Sequence, residues 1–223
     1  MPSSDDNFVA DSCHIITIPS RGRLSLYGGD PTELKISDIA NSLGHQCRFT
    51  GHLQPWAWYS TAEHSVDVSW IIRELGGDLH EQYVGLMHDS PEFGLSDIAA
   101  PFKKEIGTYY EKEKLIWHRM CDKFDLPQVL PSIVKQADWI ALFLEAMTFV
   151  VPDHHDVLES WFGWVDYGQY AQLMHKMWVP SRRKFWRGRK IMRGLSYRQA
   201  PKAFLDRFNE LVPDVVKSRL ETA

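Results

Sequence analysis

Apolar residues in this chain recur mainly at three- and four-residue spacing, and only the first thirty positions carry a pattern suited to strands. His14 to Pro19 (HIITIP) is β-branched and predicts a short strand. Leu24 to Tyr27 is its expected partner across a turn at Ser20-Arg21-Gly22-Arg23. Residues 1–12 read as a frayed tail, and Gly28-Gly29-Asp30-Pro31 is a second break. A helix is expected from Ser37, with Ser37 and Asp38 capping the run IANSL ahead of Gly44. Cys47 to Tyr59 has no steady period and reads as a loop. Thr61 to Leu75 is helical, with Val66, Ser69, Trp70 and Arg73 following its turns and Gly76-Gly77 stopping it.

The next helix, Leu79 to Asp89, ends there because Pro91 lacks an N–H and crowds the preceding turn. Glu92 to Asp97 should fold back over that end. Tyr109 to Phe124 is a long amphipathic helix with Tyr110, Leu115, Met120 and Phe124 on or near its apolar stripe. Pro127 and Pro131 separate it from a helix over Ile133 to Phe149. A loop at Pro152 to Asp156, an aromatic-rich helical stretch to Met177 and a helix near Phe204 to Leu211 complete the reading. The expected fold class is therefore all-α, predominantly helical, with a short N-terminal β-hairpin. Three units are expected: a tail with strands (1–30), a helical domain (31–178) and a basic C-terminal extension packed on or near it (179–223).

Composition changes this picture little. A chain of 223 residues that is 44% hydrophobic can bury a sizeable core, and its net charge of −4 implies no global attraction to nucleic acid or anionic lipid. Cys13, Cys47 and Cys121 are scattered and odd in number, which argues for a reducing compartment rather than a disulfide framework. The opening MPSSDDNFVADS is acidic where a signal peptide would be basic and then apolar. The longest apolar run, Trp139 to Val151, is broken by Glu145 and is too short to cross a bilayer. A cytoplasmic protein with no membrane partner is expected.

The candidate chemistry gathers at Met87 to Asp97, MHDSPEFGLSD. His88 and Asp89 can each offer a lone pair to one divalent cation, and Glu92 follows four residues after His88. Two more such groups stand on other predicted helices: His64 in TAEHS and Asp138 in KQADWIALFLEA. Singly, each has an ordinary explanation, a satisfied core histidine for His64 and a helix N-cap for Asp138. Together, two imidazoles and two carboxylates suit Zn, Mn, Co, Fe or Mg, and ligands brought inward from separate helices are a known way to build such a site.

These positions carry a resemblance. DIANSLGHQCRFTGH, WYSTAEHS, LMHDSPEFGLSDIAAPFK and VKQADWIALFLEA together resemble the HD-domain phosphohydrolases, all-helical metalloenzymes that hydrolyse phosphate esters. The resemblance covers Ile36 to Phe149 and points to the compact branch holding bacterial 5′-deoxynucleotidases and phage dATP triphosphohydrolases. RFTGHLQPWAWYSTAEHS is closer to the phage type, since the bacterial nucleotidases have Arg-Trp where this chain has Arg48-Phe49.

The resemblance implies an HD-domain bundle with a divalent metal on His64, His88, Asp89 and Asp138. Glu92 would orient or deprotonate a water, and Asp97 would be a second acid, with a helix N-cap as its rival role. Arg48 and Lys103, with Lys104 assisting, would contact phosphate, and Phe49 and Pro101 would pack on base and sugar. The implied function is triphosphate release from a dNTP, dATP first. The alternatives are a 5′-deoxynucleotidase acting on dNMPs and a non-catalytic nucleotide- or nucleic-acid-binding module. If phage-encoded, the protein would work in the host cytoplasm.

Some features fall outside that pattern. Glu63 could orient an imidazole or be merely exposed, and His154-His155 could be a second metal site or a solvated loop. The basic run Ser181 to Arg193, with Phe185 and Trp186 interleaved, could grip single-stranded nucleic acid, reach a triphosphate across a subunit boundary, or be a solvated arm. Nine tryptophans make a homo-oligomer plausible. No G-x-S-x-G or Gly-rich phosphate loop is present, which removes serine-hydrolase and P-loop readings.

Overall fold

The computed structural model describes residues 15–20, 22–27, 33–150 and 192–221, and the fold they form is predominantly helical with one two-stranded sheet. Strands β1 (Ile15–Ile16) and β2 (Leu24–Ser25) pair antiparallel, Ile15 opposite Ser25 and Ile16 opposite Leu24. Ile18 and Gly22 exchange backbone hydrogen bonds across the turn, where Gly22 takes a φ of 83° that suits a residue without a Cβ. Leu24 and Leu26 are buried, and Leu26 lies so close to Gly94 that a side chain at Gly94 would collide with it. The hairpin thus backs the short turn that carries Glu92.

Helix α1 spans Ile36–His45 and begins one residue earlier than the sequence suggested, after Lys35. Ser37 and Asp38 are inside the helix rather than capping it, and Asp38 instead accepts a hydrogen bond from Ser20 Oγ at 2.6 Å. Gly44 is also helical, and Pro201 packs where its Cβ would be, so only glycine fits there. Helix α2, Thr61–Glu74, is capped by Ser60, whose side chain accepts from the Glu63 N–H. Such a cap contributes about 1 kcal/mol. Nearly every face of α2 is buried, which makes it the central helix, with α1 and three others to be described packed around it.

Helix α3, Leu79–Met87, opens with a capping box in which Asp78 and Glu81 hold each other's backbone N–H. It approaches α2 closely because Gly85 sits against Ile72, where any Cβ would run into the Ile72 side chain. Then come α4 (Glu92–Leu95), α5 (Ala100–Glu105) and α6 (Tyr109–Phe124). On α6 the buried stripe is Tyr109, Ile116, Trp117, Met120 and Phe124, whereas Tyr110 and Leu115 point outward. Arg119 donates to the carbonyls of Ser25 and Leu26, which drags the stripe around by pinning α6 to the hairpin.

Helix α7 covers Ser132–Glu145, and the chain then widens into a π-turn over Ala146–Val150 instead of continuing as α-helix to Phe149. Helices α8 (Gln199–Leu211) and α9 (Asp214–Glu221) close the described chain, the second with no counterpart in the sequence reading. Phe204, Phe208 and Leu211 of α8 are buried against α1, α2 and α3. The expected loop at Pro152–Asp156, the helix to Met177, the break at 28–31 and His154-His155 lie outside the described residues. Among the described residues no helix is long and apolar enough to cross a membrane.

Candidate metal centre

Each polar group at the centre of the fold arrives there for a local reason. Ser60 starts α2 in register, placing His64 in its second turn with its side chain fully buried. The proline at 91 ends α3 at Met87, so His88 and Asp89 form the turn that follows. Gly85 lets that helix end come down onto α2. Asp138 lies in the second turn of α7, inside the helix, so it is not an N-cap.

The four side chains converge. His64 Nε2 lies 3.4 Å from His88 Nε2, 3.3 Å from Asp89 Oδ2 and 3.2 Å from Asp138 Oδ1. His88 Nε2 lies 3.2 Å from Asp89 Oδ1 and 3.8 Å from Asp138 Oδ1. Ligand atoms held at ~2.1 Å by one tetrahedral ion would sit about 3.4 Å apart. The observed spacings bracket that edge. His64, His88 and Asp138 form a group that could hold a metal ion, and Asp89 reaches both imidazoles from the side.

The tautomers follow from the partners. His64 Nδ1 is 2.5 Å from Glu145 Oε1, and His88 Nδ1 is 2.7 Å from the Gly85 carbonyl. A carbonyl can only accept, and so can an ionised carboxylate, so both rings donate from Nδ1 and turn Nε2 inward. Burial and the Arg48 charge resist protonation of His64, but Glu145, Asp138 and Asp89 outweigh them and raise its pKa well above the usual value. His88 is likewise raised by Asp89 and Asp138 against its burial. Asp89 and Asp138 resist ionisation by burial yet are held below the usual carboxylate range by the two imidazoles. Such a set attracts positive charge, whether protons or a cation.

Around this centre stand the other expected residues. Arg48 is buried, donates from Nε to Glu145 Oε2 at 3.0 Å and places Nη1 3.7 Å from Asp89 Oδ2. Its Nε is thereby committed, so a forked contact with a ligand is left to the Nη pair. Phe49, half-buried, lies beside the Arg48 guanidinium, and Phe49, Thr50 and Gly51 take φ values of 55°, 51° and 80°. Two successive non-glycine residues in the left-handed region hold the chain in a tight, strained turn.

Glu92 is 2% exposed. Lys103 donates to its Oε1 at 2.7 Å, and Oε2 has no hydrogen-bond partner among the described residues. Burial and the charges of Asp89 and Asp97 push Glu92 up to about 8, with Lys103 pulling the other way. Lys103 also reaches Glu113 at 3.5 Å, and Lys104 is exposed. Asp97 does not cap a helix at Ile98, since α5 begins only at Ala100. Pro101 is in α5, and its side chain lies outside what is described.

Three residues in the site were missed or misread from sequence. Gln46 is the first: its Nε2 donates to the Glu92 carbonyl at 2.9 Å and its Oε1 accepts from the Asp97 N–H at 3.1 Å. Ser96, at φ 71°, makes the sharp turn that brings Asp97 round to Gln46. Glu145 is the second, fully buried behind His64 and Arg48. Glu63 is the third: it neither touches an imidazole nor is exposed. It is fully buried and accepts from the backbone N–H groups of Arg193, Gly194 and Leu195. Met192 and Arg193 are the described end of the basic run, whose other residues, 181–191, lie outside the described part.

Fold and site together define a helical protein with a His/His/Asp cluster, its two imidazoles buried and its carboxylate partly exposed, that could hold a metal ion. No family model matches the chain. It is 34% identical over 131 residues to "Uncharacterized protein RCAP_rcc00048" of Rhodobacter capsulatus, covering 56% of this chain and 67% of that protein. It belongs to that protein's family. It is also 37% identical over 113 residues to "Uncharacterized protein YfdR" of Escherichia coli, and the match takes in 51% of this chain and 60% of that relative.

Proposed function

We propose that this chain is a metal-dependent phosphohydrolase of the HD-domain class, acting on deoxynucleoside 5′-phosphates. The observation that carries the reading is the convergence of His64, His88 and Asp138 at ligand-edge distances, with one Asp89 oxygen beside each imidazole. The donor set of nitrogen and oxygen fits zinc, cobalt, manganese or magnesium. Such an ion, when bound, supplies Lewis acidity, lowering the pKa of a water and offsetting charge on phosphorus.

The chain's own residues do the rest. Glu92 holds a buried carboxylate oxygen with no partner among the described residues, and its raised pKa makes it, once ionised, a stronger base toward water. Lys103 supplies a cation beside it, and substrate phosphate would compete with Glu92 for that ammonium. Arg48 supports phosphate oxygens through its Nη edge while Nε is anchored. Gln46 keeps the Glu92 and Asp97 segments in register. Phe49, packed beside Arg48, is the proposed wall for the base, with Pro101 as the proposed sugar contact.

Within this class we favour a dNTP triphosphohydrolase with dATP as substrate, on the strength of the RFTGHLQPWAWYSTAEHS resemblance. Incubation with dATP or dAMP and added cobalt or manganese, with products resolved by chromatography, tests it. Triphosphate released from dATP supports the reading. Orthophosphate from dAMP alone would make the protein a 5′-deoxynucleotidase, and nucleotide binding without turnover would make it a binding module.

A further inference from the structure

We infer that Glu145 is a positioning residue that yokes metal loading to phosphate recognition, because its two oxygens separately hold the proposed metal ligand His64 and the proposed phosphate contact Arg48. The inference rests on the phosphohydrolase reading for the roles of those two partners. Glu145 is fully buried, Oε1 lies 2.5 Å from His64 Nδ1, and Oε2 lies 3.0 Å from Arg48 Nε. Both partners donate, so both bonds need an acceptor, and an ionised carboxylate has two. It has no uncommitted oxygen.

Glu145 is also placed to act on both. It stands seven residues after Asp138 and therefore on the same face of α7, behind the ligand that this helix sends inward. It is the last α-helical residue before the π-turn Ala146–Val150, a widening that often marks functional positions. On the far side, Arg48 opens the left-handed turn of Phe49, Thr50 and Gly51, and its guanidinium is the group that ties this turn inward. Fixing the tautomer of His64 and the aim of Arg48 are thus one act.

The decisive variant is Glu145→Gln. Whichever way it is turned, an amide presents an N–H to one of the two donors, and that donor–donor clash shifts the whole side chain, so neither His64 nor Arg48 keeps its bond at full strength. Cobalt affinity, read from visible absorption, should fall by ~10–100-fold, as for other groups that orient metal-binding histidines. Affinity of the cobalt-saturated protein for tripolyphosphate, read by calorimetry, should fall by about 10-fold. Arg48→Ala should reproduce only the second loss, and the double variant should bind tripolyphosphate no worse than Arg48→Ala alone, the mark of coupled residues. A folded Glu145→Gln protein that keeps either affinity within about 2-fold of wild type overturns the yoke, as do additive losses in the double variant.

Should Glu145→Gln not fold, nitrogen-15 shifts of His64 in the zinc-loaded wild-type protein decide. A protonated Nδ1 with Nε2 on the metal is expected, and the reverse overturns the inference. Wild-type protein that binds cobalt but turns over no nucleotide sinks the proposed function, and the cobalt comparison still decides the role of Glu145. Wild-type protein that takes up neither cobalt nor zinc overturns both.

Discussion

Helix α2 buries acid–base groups on two sides and treats them in opposite ways. On one side, His64 meets the side chains of His88, Asp89 and Asp138, three groups that compete for positive charge. On the other, Glu63 and Asp67 are held mostly by backbone N–H groups. Glu63 accepts from the N–H groups of Arg193, Gly194 and Leu195, and Asp67 accepts from Met192 N–H and the Tyr59 hydroxyl. The electrostatic outcome follows the partners. Asp89 and Asp138, only partly buried, are held below the usual carboxylate range, whereas burial raises Glu63 to about 7 and Asp67 well above its ordinary value. His64 is as fully buried as Glu63 and Asp67, so burial alone does not make a site. What differs is whether the partners are ionisable side chains or, for the most part, backbone dipoles, and only the first arrangement turns several donor atoms toward a shared point.

The comparison can be broken most sharply at Glu92. Glu92→Ala should lower turnover of dATP by ~10²–10⁴-fold while cobalt uptake stays close to wild type. Full turnover in that variant would remove Glu92 from the chemistry. Next, His88→Ala and Asp138→Ala should each weaken cobalt binding by about 100-fold or more, whereas Glu63→Gln should leave it within a few-fold. Equal losses from both sides would erase the distinction drawn here. Gly85→Val should cost about 1–3 kcal/mol in chemical denaturation, through collision with Ile72, and should also weaken cobalt binding by moving His88.

The smallest effect concerns pH. Glu63 titrates higher folded than unfolded, so its proton stabilises the fold below about pH 4.5 and that contribution is lost as pH rises through about 7. Thermal stability should therefore fall between pH 5 and 8, with Glu63 contributing up to about 3 kcal/mol, and Glu63→Gln should flatten that slope. A variant with an unchanged slope would show that the backbone cradle holds Glu63 ionised throughout.

Much of the centre was legible from sequence because its residue types are few and their surroundings apolar. His64, His88, Asp89 and Asp138 stand on or beside predicted helices, and α6 falls at Tyr109–Phe124 as its period and flanking prolines indicate. Its facing was off by a notch at Tyr110 because Arg119 ties the helix to the hairpin, a contact spanning 93 residues that no local period encodes. Gln46 escaped notice because a neutral amide carries no chemical signature. Glu63 was misjudged because its partners lie more than 130 residues away at Gly194 and Leu195. For Glu145 a signal was present: a lone carboxylate interrupting the longest apolar run, on the face of α7 shared with Asp138. A buried charge there needed a partner.

The anchoring of both imidazoles through Nδ1 has a kinetic corollary. With each ring's far nitrogen tethered, one to a carboxylate and one to its own helix's carbonyl, the two Nε2 atoms are aimed inward before any ion arrives. Capture of an ion would then require little rotation of the rings, only loss of the proton that the raised pKa of His64 holds and the shedding of water by the incoming ion. Uptake rates across a series of divalent ions should accordingly rank with how readily each exchanges its hydration shell, and hardly at all with solvent viscosity.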